Sequence, residues 1–113
     1  KTNVDPNRLW VYEVTVNVNV EVVEEYSQVV SSHMRIISQL PGFHPIPTCH
    51  QVESAEETSD SVTWVIRYFA ESRESIQNYF DTLAPQLREE TLKFAGKVTA
   101  ARKVLHPNAS VCQ

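Results

Sequence analysis

From Trp10 to Val20 the chain alternates, with Trp10, Tyr12, Val14, Val16, Val18 and Val20 on one phase and Glu13, Thr15, Asn17 and Asn19 on the other. A period of two in a valine-rich run predicts a strand with one buried face. The period then changes. Val22, Tyr26, Val29, Val30, His33, Ile37 and Leu40 recur at three- and four-residue spacing, which predicts one stripe of a helix over 21–40. Asn19 is placed to cap it, Glu21, Glu24 and Glu25 suit the positive end of its dipole, and Pro41-Gly42 ends it.

Residues 43–52 carry Pro45 and Pro47, which lack ladder donors, so a strand here must be irregular or lie at a sheet edge. A polar connector, 53–61, leads to a second alternating run, Val62 to Ala70, with Val62, Trp64, Ile66 and Tyr68 set against Thr63, Val65, Arg67 and Phe69. Ser72 is a good N-cap for a helix carrying Ile76, Phe80, Leu83 and Leu87 inward; Ala84-Pro85 should interrupt it, with a short piece continuing to Phe94. Gly96 opens a last strand, 97–106, which Pro107 closes.

The order β-α-β-β-α-β is the split unit of ferredoxin-like α+β folds: a four-stranded antiparallel sheet, order 4-1-3-2, with two helices on one face. This divides the chain into an N-terminal arm (1–9), a ferredoxin-like domain (10–106) and a C-terminal tail (107–113). The face away from the helices mixes Val11, Val65, Phe69 and Leu105 with Glu13, Asn17 and Arg67. Monomers rarely leave such an apolar patch open, and two copies stacking these faces as a dimeric α+β barrel would cover it.

Composition narrows the partners. With 113 residues, 42% hydrophobic and 21% charged, the chain is one ordinary globular domain. Ten Lys+Arg against 14 Asp+Glu, a net charge of −4, argue against nucleic acid or an anionic membrane as the main partner. No apolar run approaches the roughly 18 residues of a membrane span. The chain begins Lys1-Thr2-Asn3 and its one methionine is Met34, which predicts a processed product or a chain trimmed at its start. Asn108-Ala109-Ser110 fits the N-glycosylation pattern, and Cys49 and Cys112 can pair, so a secreted glycoprotein is expected. In strand order 4-1-3-2 these cysteines lie at opposite edges, roughly 14 Å apart and beyond the reach of a disulfide. An intersubunit Cys49–Cys112 bridge is the shorter route.

An ordered series of residues resembles one family. It comprises Tyr12-Glu13-Val14-Thr15-Val16-Asn17-Val18, His33-Met34, Gly42-Phe43, Arg67-Tyr68, Tyr79, Ala84-Pro85-Gln86-Leu87-Arg88, Phe94-Ala95-Gly96-Lys97 and Arg102-Lys103-Val104-Leu105. Together these resemble the domain of unknown function 4286 family over about residues 12–106. The resemblance implies a ferredoxin-like fold and a barrel dimer, and no catalytic residue. The proline- and cysteine-bearing second strand and the sequon tail depart from a bacterial cytosolic member and suggest a secreted relative.

Candidate chemistry is sparse. His33 on the apolar helix stripe reads first as a half-buried histidine bonded to a neighbouring element, and otherwise as a ligand or proton carrier. His44 and His50, six apart on a strand, share a face but stand roughly 20 Å apart, too far to hold one metal, and no metal site is expected. Glu13 or Asn17 can pair with Arg67 across neighbouring strands, either to fix dimer register or to line a cleft beside Phe69. Trp10, Tyr12, Trp64, Tyr68, Tyr79 and Phe80 read as core, or as a lipophilic pocket between helices and sheet. Two glycines exclude a phosphate-cradling loop. The candidate ligand-binding residues are therefore Glu13, Asn17, Arg67, Phe69, His33 and His44.

The leading expectation is a non-enzymatic secreted oligomer, paired with itself or a paralogous subunit. It would be a structural subunit or a carrier of a small apolar ligand such as a lipid, carotenoid or haem. The alternative is a small cofactor-free enzyme of the barrel class, monooxygenase- or isomerase-like, with His33 or His44 as acid/base and Asn17 and Arg67 positioning substrate.

Overall fold

The computed structural model of the chain describes residues 5–54, 60–108 and 110–111. Cys112, the first four residues of the arm, Ala109 of the sequon and the middle of the 53–61 connector lie outside the described residues.

Strand β1 runs Trp10–Asn19, helix α1 Val23–Ile37, β2 Thr48–Gln51, β3 Ser61–Ala70, α2 Arg73–Thr82, α3 Ala84–Glu89 and β4 Val98–Leu105. The sheet is antiparallel in the order β2-β3-β1-β4, with β1 in full register against both neighbours. The ferredoxin-like α+β order expected from the periodicities is therefore present. Phase predicts face as well: Tyr12, Val16 and Val18 of β1 join Ile66, Tyr68 and Ala70 of β3, Ile37 of α1, Ile76 and Tyr79 of α2 and Leu87 of α3 in one core. Full burial of each such aliphatic side chain is worth about 1.5–3 kcal/mol, so this layer, more than any polar contact, holds the helices on the sheet.

The structure refines the sequence reading in several details. Residues 6–8 of the arm form a 3-10 turn, because the Asp5 carboxylate accepts from the Asn7 amide at 2.9 Å. Asn19 does cap, accepting from Glu21 N at 2.8 Å, but it caps a 3-10 turn, Val20–Val22, that precedes α1. Val20 consequently leaves the strand and is exposed. The second strand keeps only Thr48–Gln51 of the expected 43–52, since Pro45 and Pro47 cannot donate; Phe43 makes a lone bridge to Ala70 before them. The second helix is broken as expected at Ala84-Pro85, giving α2 and α3 in place of one element, and Ser72 caps α2 by accepting from Ser75 N.

Gly42 closes the turn after α1 with φ +84°, and its carbonyl accepts from the Glu71 amide at 2.9 Å. That bond ties the end of α1 to the start of α2.

Candidate functional site

The register sets Tyr12 directly opposite Tyr68 in the middle of the sheet, and both face the helices. Their rings stack at 5.8 Å between centroids. α2 adds Tyr79 at 5.6 Å and Phe80, edge-on, at 5.2 Å from Tyr12. The three tyrosines among these rings form the floor of a cleft whose sides come from three other elements: Tyr26 and His33 on α1, Arg88 and Thr91 on and after α3, and Arg102 on β4. The free volume is about 50 Å³, room for a few waters, so an aromatic guest has to displace water and turn side chains at the mouth. The arginines there are exposed and long enough to move.

Burial holds the Tyr68 and Tyr79 phenols well above the ordinary tyrosine range, with neighbouring tyrosines adding to the shift. Both therefore stay neutral hydroxyls at neutral pH. His33 presents Nε2 to Glu90 Oε1 at 3.0 Å, with its own side chain 14% exposed and that of Glu90 51%. When Nε2 donates to that carboxylate, Nδ1 is left as an acceptor, the arrangement of a base oriented by an acid.

The opposite face of the sheet is built differently. Glu13 lies across from Arg67, which reaches the carboxylate through Nε at 2.9 Å and a terminal nitrogen at 2.8 Å. Asn17 instead donates to Thr63 Oγ1 at 3.1 Å, so Glu13 takes the arginine and Asn17 does not. Arg67 and Phe69 border a shallow hollow of about 510 Å³ with Pro6, Leu9, Val11 and Leu105. It is larger than the inner cleft, yet it lies on the flat apolar face that a second copy would cover. A third hollow, about 340 Å³, runs between α1 and β2 along Met34, Trp64 and Cys49, where burial raises the Cys49 thiol above its usual range.

The six candidate residues thus divide among three places. Glu13, Asn17, Arg67 and Phe69 share the open face, and His33 enters the inner cleft as the half-buried, bonded histidine its helix phase suggested. His44 sits in the segment before β2, its amide donating to Phe69 O at 2.8 Å and its Nε2 buried without a partner. His44 and His50 do not share a strand, so alternation does not relate their faces. Among the described residues no three histidine, cysteine, aspartate or glutamate side chains converge as metal ligands. Among the described residues no helix is long and apolar enough to cross a membrane.

Sequence reasoning missed Arg88, Glu90, Thr91 and Arg102. For Arg102 a signal existed: Val98, Ala100, Arg102 and Val104 form the helix-facing phase of β4, and a charge on that phase is out of place in a core. Glu90 gave none, because it stands 57 positions from its partner histidine.

A family model described as "Domain of unknown function (DUF4286)" matches residues 9–107. No curated protein matches the chain. Among solved structures it is similar to SnoaB, a cofactor-independent oxygenase from Streptomyces nogalater. Identity is 12% and the TM-score 0.60, with 88% of this chain and 94% of that one covered. It is also similar to a monooxygenase from the gene ActVA-Orf6 of Streptomyces coelicolor, in complex with nanaomycin D, with 21% identity, TM-score 0.51 and coverage of 92% and 91%. A dimeric ferredoxin-like protein of unknown function from Thermobifida fusca aligns at 10% identity and TM-score 0.52 over 91% and 97%. At these identities the likeness establishes the fold, a ferredoxin-like α+β sheet of the kind found in dimeric barrels.

Proposed function

We propose that this chain, which belongs to the domain of unknown function 4286 family, binds a planar aromatic small molecule in the cleft between its sheet and its helices. The observation that carries the reading is the convergence of four buried phenol rings, Tyr12, Tyr26, Tyr68 and Tyr79, with His33 on one concave site. Aromatic floors with a few polar groups at the rim are what ligand sites use, and a cleft of about 50 Å³ must widen to take such a guest. Proteins of the same fold described as oxygenases, one of them holding nanaomycin D, support it by analogy.

A more specific reading is oxygenation without a cofactor, and the His33–Glu90 pair favours it. A ligand with an acidic phenol or enol would lose that proton to His33, with Glu90 steadying the imidazolium. Molecular oxygen would then accept electrons from the resulting anion. The non-enzymatic carrier is the same binding without turnover.

Titration with nanaomycin D, following tryptophan fluorescence, tests the binding. Trp64 stacks on Tyr26, which lines the cleft, so a bound quinone is expected to quench it. No quenching in the wild type, or the same quenching in a His33→Trp variant that fills the cleft, sinks the reading. An oxygen electrode with a set of fused-ring phenols then separates enzyme from carrier: uptake lost in His33→Ala marks catalysis, and binding without uptake marks a carrier.

The working unit in this proposal is a homodimer joined through the open sheet face. Secretion belongs to the same proposal and draws on exposed Asn108, whose side chain accepts from Ser110 Oγ at 2.9 Å. A mobility shift on glycosidase treatment of the natural protein checks it. A reductant-sensitive dimer band on gels checks the Cys49–Cys112 bridge.

A further inference from the structure

We infer that the ligand of the inner cleft carries a carboxylate, which Arg102 and Arg88 select; this rests on the cleft being a ligand site. Four cations of the described chain have carboxylate partners: Arg8 with Asp5, Arg67 with Glu13, Lys93 with Glu25 and Lys97 with Glu21. Arg35, Arg73, Arg88, Arg102 and Lys103 have none among the described residues, and of these five Arg88 and Arg102 line the tyrosine cleft, from α3 and from β4. In a chain of net charge −4, two uncompensated guanidinium groups at one concavity reverse the overall sign.

The surroundings explain why the guanidinium charges stay there without a protein acid. The titratable groups around the cleft are Tyr12, Tyr26, Tyr68, Tyr79 and His33, with Glu90 beside it. Glu90 is engaged by His33, and the phenols stay neutral, so neither arginine has a carboxylate of its own. Their fields do reach the floor: both act on Tyr79, and Arg102 acts on Tyr26 as well, each favouring the phenolate. Both arginines thus border the same end of the cleft as Tyr79. A guanidinium fork matches a carboxylate in two parallel bonds, and a ring behind that carboxylate would lie on the tyrosines. The class assigned is a planar aromatic monocarboxylate. Arg102 and Arg88 act as specificity-determining residues, because they would touch the ligand's anionic group and not its reacting carbon.

Matched probes test this on the full-length protein: 2-naphthoate against 2-naphthamide, the same ring with and without the charge, by calorimetry at low salt. Naphthoate is expected to bind at least tenfold tighter, with an advantage that shrinks as salt is raised. Arg102→Gln should bring the ratio close to one, chiefly by weakening naphthoate, and Arg102→Lys should restore part of it. Both arginine positions are exposed, so these variants are expected to keep the wild-type circular dichroism. Equal binding of the two probes by the wild type overturns the carboxylate assignment and leaves the aromatic cleft standing. An undiminished preference in the Arg88→Gln, Arg102→Gln double variant also overturns it. If neither probe nor nanaomycin D binds, the cleft is no ligand site and both readings fall.

Discussion

Glu13 and Arg67 are partners of unequal burial. Glu13 is 9% exposed as a residue, whereas the Arg67 side chain is 48% exposed. Removing the arginine leaves a buried carboxylate without its donors; removing the glutamate leaves a guanidinium that water can solvate. Arg67→Ala is therefore expected to cost about 1–2 kcal/mol and Glu13→Ala under about 1 kcal/mol, read from urea midpoints. Equal losses would mean that Glu13 is hydrated in solution. The tyrosines give a second prediction. The folded state holds Tyr68 and Tyr79 above their ordinary pKa of 10.0, so it keeps their protons where the unfolded chain releases them. The stability tied to these phenols is full below pH 10 and is lost progressively as pH rises above it. An alkaline absorbance titration should show fewer than four tyrosines ionising near pH 10 in the folded protein, and all four in denaturant. The three stripe tyrosines were legible as inward residues from phase alone. Their meeting with His33 and Glu90 was not, because phase gives a residue's face but not which distant side chain arrives opposite it.

Among the elements, the two glycine turns look alike in sequence and differ in cost. Both have positive φ, +84° at Gly42 and +86° at Gly96. A Cβ on Gly42 would collide with the Ser75 side chain in the first turn of α2, while one on Gly96 meets open space. Gly96→Ala is expected to cost about 1 kcal/mol from backbone strain alone, and Gly42→Ala at least about 2 kcal/mol more. Thermal melts of the two variants check this; matching melting temperatures would show that the α1–α2 contact yields freely. Strands β1 and β3 were legible to within a residue or two because hydrophobic alternation runs their whole length, and β4 because Gly96 and Pro107 bracket it. β2 was overextended because its prolines mark an edge without saying how many residues on either side still pair. The 3-10 turn at Val20 was hidden for a related reason: valine continues the strand phase, and only Asn19 accepting from Glu21 N reveals that the backbone has turned.

For the whole molecule the open sheet face is where the proposed dimer would form. Val65 and Phe69 on β3, Val11 on β1 and Leu105 on β4 lie on that face, flanking the Glu13–Arg67 pair. In the proposed barrel dimer a Phe69→Glu substitution places a charge against the partner's sheet. It should halve the mass seen by light scattering while far-ultraviolet circular dichroism stays that of the wild type. A wild-type monomer at the same concentration would remove the barrel. The fold could be read from the sequence because its periods are strong. The cleft could be read only in part, since its polar rim is assembled from α1, α3 and β4, three segments whose approach depends on the fold as a whole.

The two rims of the sheet also differ in a way that limits growth. β2 is four residues long and follows Pro47, whereas β4 offers eight residues of outer backbone with no neighbouring strand among the described residues. The shorter rim is therefore the poorer template for another strand, and two of the longer rims can meet only once, head against head. Growth of the native sheet beyond such a pair would have to pass through the four residues of β2, a margin that the preceding proline blunts.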